Sequence, residues 1–163
     1  MQLRDRVLSN IILCGVEIAF QGSAVPSVIE GWQPFYNSIF ENTTFERVYA
    51  SVASINFYQE SVITSAGYSY KQKVVFQFPN SDGLGASRIK LLEKIEYIKL
   101  NQNNSLDIVV GRNDFFQNTA PIIKTTSDEQ ICQITIESSS ISPAGITPNI
   151  NAFGLPVFIP LSF

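Results

Sequence analysis

Apolar and polar residues alternate one for one over much of this chain, and the alternation is cleanest between Tyr68 and Phe78. Tyr70, Gln72, Val74, Phe76 and Phe78 fall on one side there, and Lys71, Lys73, Val75 and Gln77 on the other. That two-residue period marks a strand with one face on a core. Pro79, Asn80, Ser81, Asp82 and Gly83 close it as a turn. Similar patterning predicts a strand over residues 9–21 and another over residues 45–58, where Val48, Ala50 and Val52 alternate with polar or small partners. Residues 97–100 and 106–111, on either side of Asn101, Gln102, Asn103 and Asn104, predict a β-hairpin. Residues 114–128 read as a loop around Pro121, and residues 130–137 as a further strand. Only one stretch changes period. Ile89, Leu92 and Ile95 recur at spacings of three among Arg88, Lys90, Glu93 and Lys94, and Ser87 stands ready to cap. This predicts a single helix over about residues 87–96, with its apolar stripe on the sheet.

Two stretches fit neither period. Between Gly22 and Pro34 the chain is punctuated by Pro26 and Gly31 and leads into an aromatic cluster of Trp32, Phe35, Tyr36 and Phe40. Such a cluster is either a cover folded over the core or a contact surface. The C-terminal stretch carries Pro143, Pro148, Pro156 and Pro160, and no charged residue follows Glu137. Closely spaced prolines disfavour a regular ladder, so residues 141–163 read as an extended arm beyond a β-rich domain over residues 1–140. The arm's Ile146, Ile150, Phe153, Leu155, Val157, Phe158, Ile159, Leu161 and Phe163 need an apolar surface. That surface belongs either to the same domain or to a neighbouring chain.

Composition narrows the possibilities. At 163 residues, 45% hydrophobic and 15% charged, the chain suffices for one core but not for two equal domains. A net charge of −3 with no basic cluster argues against non-specific nucleic-acid binding. No apolar run reaches the roughly 18 residues of a membrane-spanning helix. Arg4 and Arg6 precede an apolar stretch over residues 7–20, but Ser9, Asn10 and Glu17 interrupt it. Bulky Ile12 and Leu13 stand before Cys14 and Gly15 where lipoprotein processing demands small residues. The expectation is a soluble, unprocessed chain, cytoplasmic or assembled into a particle. The sequons at Asn42 and Asn103 carry no weight without a secretory signal.

Candidate chemistry is sparse. The chain has no histidine, which removes the usual proton shuttle and the commonest metal ligand. Cys14 and Cys132 are the only thiols, each within an apolar run, where cysteine packs as a small hydrophobe. Two thiols make no zinc site without further ligands, and the carboxylates show no calcium-loop spacing. Gly83, Leu84, Gly85, Ala86 and Ser87 lie where a phosphate loop would, but lack both the third glycine of a dinucleotide fingerprint and the Gly-Lys-Ser/Thr ending of a P-loop. Ser87 and Lys90 match a Ser-x-x-Lys spacing, more simply read as a helix start. Glu60, Asp107, Asp114 and Glu137 read as ordinary surface or turn carboxylates. The expectation is no enzyme, no metal and no cofactor.

One set of residues carries a resemblance. Gln59, Glu60 and Ser61, then the run Ser65-Ala66-Gly67-Tyr68-Ser69-Tyr70-Lys71-Gln72-Lys73-Val74-Val75-Phe76-Gln77-Phe78-Pro79-Asn80, a helix, and the strand Asp107-Ile108-Val109-Val110 follow in order. This arrangement, over about residues 55–140, resembles small structural proteins of tailed bacteriophages: tail-tube, tail-completion and neck proteins. The resemblance implies a mainly β fold, a tail-tube-like β-sandwich or barrel with one short flanking helix and long arms. It implies a virion structural protein that assembles in the host cytoplasm into a ring or tube of the phage tail or neck. Its partners would be copies of itself and neighbouring virion proteins, with no specific nucleic acid and no membrane. Candidate subunit contacts are Trp32, Phe35, Tyr36, Phe153, Leu155, Phe158 and Phe163. The alternative is a carbohydrate- or receptor-binding β-sandwich, with Trp32, Tyr36 and Tyr68 as stacking platform.

Overall fold

A computed structural model describes residues 12–20, 44–80, 83–103, 106–112, 117 and 119–148. The described strands are β1 (Leu13–Phe20), β2 (Glu46–Val48), β3 (Asn56–Thr64), β4 (Gly67–Pro79), β5 (Ile95–Gln102), β6 (Leu106–Gly111), β7 (Ile122–Ser127), β8 (Ile131–Ser140) and β9 (Gly145–Pro148). They form a five-stranded sheet in the order β2-β1-β5-β6-β9 and a four-stranded sheet in the order β3-β4-β8-β7. Every pairing is antiparallel. The sheets remain separate and share one core, so the fold is a β-sandwich and not a closed barrel.

The two-residue period builds that core. Val16, Ile18, Ile98, Leu100, Ile108 and Val110 face inward from the larger sheet, and Val74, Phe76, Phe78, Cys132, Ile134 and Ile136 from the smaller. Full burial of each large side chain contributes about 1.5–3 kcal/mol. The register places Val74 opposite Ile136 and Phe76 opposite Ile134, joining residues far apart in sequence on one face.

The described residues include one α-helix, α1 (Gly85–Leu92). Its N-cap is Leu84, three residues before the expected Ser87 cap, and makes no side-chain cap bond. Gly85 is buried so closely against Asn80 that an added Cβ would collide with the Asn80 amide oxygen. Leu92 is buried and Ile89 partly so, as the apolar stripe predicts. Ile95, expected in the helix, instead opens β5 and is buried there. Arg88 lies over the Phe78 ring at 5.2 Å, tying the helix to the end of β4.

Three further expectations change. The strand expected over residues 45–58 is two strands in different sheets, β2 and β3, separated by a 3₁₀ turn at Val52–Ser54. Serines make the break: Ser51 N donates to Gln77 O at 2.9 Å, Gln77 N donates to Ser54 Oγ at 2.9 Å, and Ser54 Oγ donates to Ser51 O at 2.6 Å. The loop expected over residues 114–128 contains β7. Only Ile123 of its large side chains packs against the core, so its alternation is faint in the sequence. Finally, β9 lies within the stretch read as an arm. It pairs with β6 as a short edge strand, with Pro143 before it and Pro148 as its last residue, positions a sheet edge tolerates. Residues 149–163 lie outside the described residues.

The crossing from β8 to β9 is fastened by amides. Ala144 N donates to Gln59 Oε1 at 2.8 Å, and Gln72 Nε2 donates to Ser142 O at 3.4 Å. Gln72 and Ser140 are both 3% exposed. The polar residues inside this end of the sandwich therefore satisfy one another and the crossing backbone.

Candidate functional site

All seven candidate contacts, Trp32, Phe35, Tyr36, Phe153, Leu155, Phe158 and Phe163, lie outside the described residues. Of the proposed stacking platform, Tyr68 is described, and it stands exposed on the β3–β4 hairpin. Two other features emerge, both on the four-stranded sheet.

The first is the hairpin itself. The β4–β8 ladder ends where Tyr70 pairs with Ser140, but the β3–β4 ladder continues through Val62 and Ser69, Ile63 and Tyr68, and Thr64 and Gly67. The tip therefore extends past its own sheet. Gly67, at φ 121°, adopts a backbone conformation suited to glycine, and Thr64 Oγ1 donates to Gly67 O at 2.8 Å. Ile63 and Tyr68, directly opposed, are 75% and 61% exposed. Beside them runs the edge of β3, nine residues with Glu60 its single charge. An edge strand of that length with little charge leaves a row of backbone donors and acceptors open to another strand.

The second feature is an open groove of about 760 Å³ on the face of the same sheet turned away from the core. Register assembles its floor in two rungs: Tyr58, Lys73, Glu137 and Ile122 form one, and Glu60, Lys71 and Ser139 the next. Gln117, Thr119 and Ala120, ahead of β7, contribute to its wall. Lys124 Nζ lies 2.8 Å from Glu137 Oε2. That hydrogen bond, with the charges of Lys124 and Lys73, holds the Glu137 carboxyl below the usual carboxylate range. Lys71 and Lys73 take part in none of the ion pairs closed within 4.0 Å among the described residues.

Nothing else described assembles a reaction centre. Among the described residues no three His, Cys, Asp or Glu side chains gather as metal ligands. Cys132 is fully buried, and burial pushes its thiol pKa up, the opposite of an activated nucleophile. Cys14, expected in the core, is exposed. The register of β1 against β5 shifts between Leu13 and Gly15, which takes Cys14 out of the inward row that Val16 and Ile18 continue. The Gly83-to-Ser87 stretch is the plain helix start that its missing glycine and lysine imply.

Sequence reading missed the groove because its residues looked like an ordinary solvated face. The outward side of β4 was legible as Lys71 and Lys73, and Glu60 and Glu137 as surface carboxylates. Their meeting depends on the β3–β4 and β4–β8 registers, and the wall depends on β7. In comparison with known proteins, the chain matches no family model, no curated protein and no solved structure. No helix among the described residues is long and apolar enough to cross a membrane.

Proposed function

We propose that this chain is a structural subunit of a tailed-phage virion that self-assembles into a ring or tube of the tail or neck. The observation that carries this reading is the β3 edge with its overreaching hairpin: a long, nearly uncharged strand ending in the exposed Ile63–Tyr68 pair. A lone globular protein guards such an edge with lysine, proline or a bulge, and β3 has none of these. Among the described residues β7 is the other edge of the four-stranded sheet, on its opposite side. Two different edges favour head-to-tail contacts, and those close into rings when the rotation per subunit allows. The sequence over residues 149–163, which lies outside the described residues, has no charge and several large apolar side chains, a composition of the kind buried between chains.

Light scattering coupled to size exclusion, with negative-stain microscopy, tests the reading. The expected result is a ring or tube species, abolished by Ile63→Lys while β-type circular dichroism is retained, because Ile63 is exposed and its charge disturbs no core. A parent protein that stays monomeric at high concentration defeats it.

A further inference from the structure

We infer that the groove on the outward face of the four-stranded sheet is a binding site for an uncharged oligosaccharide. Its floor offers two ammonium groups that only donate hydrogen bonds, Lys71 and Lys73, and two carboxylates that only accept, Glu60 and Glu137, with the Ser139 hydroxyl able to do either. The formal charges of these four ionic side chains cancel. A sugar hydroxyl both donates and accepts, so a row of hydroxyls matches this mixed lining where a simpler ligand does not. A phosphate would gain two lysines and meet two carboxylates. An apolar ligand would strip water from four charges without replacing their partners.

Tyr58 supplies the apolar element. It is 59% exposed and stands in the same rung as Lys73 and Glu137, its ring available to the C–H face of a pyranose. Lys71 and Lys73, two residues apart on one strand, close no ion pair among the described residues, so their donors are free for a ligand. Glu137 is steadied by Lys124 and keeps its charge. A peptide ligand fits less well, because β4 and β8 beneath the groove lie inside the sheet and their backbone groups are already committed to ladders. The volume of about 760 Å³ lies within the range of small-molecule sites, and the groove shape suits a short chain of sugars.

The test is a glycan array probed with the full-length protein, followed by calorimetric titration with N-acetylglucosamine and α-1,4-glucose tetramers, and with a galacturonate tetramer as the anionic control. At least one neutral glycan should bind. Tyr58→Ala and Lys73→Met should each weaken binding about tenfold, one 1.4 kcal/mol step, with melting temperatures unchanged because both side chains are exposed. Running the titrations on Ile63→Lys as well separates the groove from assembly, since that substitution lies on the hairpin tip. The inference is overturned if no neutral glycan binds or if both groove variants bind like the parent. It also fails if only galacturonate binds and salt abolishes that binding, which would show charge attraction alone, or if a peptide library binds the groove where sugars do not.

Discussion

Strands β4 and β6 lie in opposite sheets of one sandwich and meet water differently. Along β4, exposed Lys71 and Lys73 alternate with buried Gln72 and Val74, and the half-exposed Val75 and Gln77 with buried Phe76 and Phe78. Along β6 the five residues from Asp107 to Gly111 are all buried, and Ile95 to Ile98 of β5 beside it likewise. The larger sheet is therefore closed to water on both faces at its centre, the smaller on one. On the face of the larger sheet turned from the core, Val109 is fully buried and Tyr97 is 3% exposed, and polar side chains are paired. Glu17 meets Lys99 at 2.7 Å, and Asn101 Nδ2 donates to Glu17 Oε2 and Asp107 Oδ1, each at 3.1 Å. A strand buried on one side shows alternation. One buried on both reads as a continuous apolar run, and its few polar residues must find partners.

The contrast is open to measurement, beginning with the shared core. Phe76→Ala empties a fully buried site and is expected to cost about 3–5 kcal/mol in denaturant unfolding; a loss under 1 kcal/mol would mean the sheets do not pack face to face there. A matched pair then probes the faces turned from the core. Val109→Ala removes buried methyl groups from the larger sheet and should cost about 2 kcal/mol, whereas Val75→Ala on the half-exposed face of the smaller should cost less than about 1 kcal/mol. Equal losses would erase the distinction. The smallest effect concerns pH. Asp128 Oδ1 accepts from Gln130 N at 2.8 Å and Ile131 N at 2.7 Å in the β7–β8 turn, and those two bonds hold its carboxyl below the usual range. A lowered folded-state pKa stabilises the fold above the unfolded value and loses that contribution as pH falls through the folded one. Asp128→Ala should therefore melt earlier than the parent at pH 7, and the gap should close in melts taken progressively below about pH 4. A gap independent of pH would show that the carboxylate charge contributes nothing.

The same contrast explains what could be read from sequence. The inward row Gln72, Val74, Phe76 and Phe78 was legible because its neighbours are polar, and the β5–β6 hairpin because an asparagine-rich turn separates two apolar runs. The break between β2 and β3 was not legible, since it depends on Ser51 and Ser54 bonding to Gln77, a residue of another strand. Nor was β7, whose Lys124, Thr125 and Thr126 resemble loop residues until β8 lies beside them. The groove was hidden for the same reason: each of its residues is ordinary alone, and cross-strand register brings them together.

Strand order has a kinetic consequence. The chain lays down β1 and β2 in the larger sheet, β3 and β4 in the smaller, β5 and β6 back in the larger, β7 and β8 in the smaller again, and β9 once more in the larger. Neither sheet is a continuous stretch of polypeptide, so neither half of the sandwich is able to mature while the other waits. Topologies dominated by distant pairings pay their loop-closure entropy early and fold on the millisecond-to-second scale. During synthesis β4 keeps one side unpaired until Ser140 has left the ribosome, and for that interval its sticky flank is exposed beside those of other nascent copies. Premature association is the hazard of that stage, and the late arrival of β8 sets how long the stage lasts.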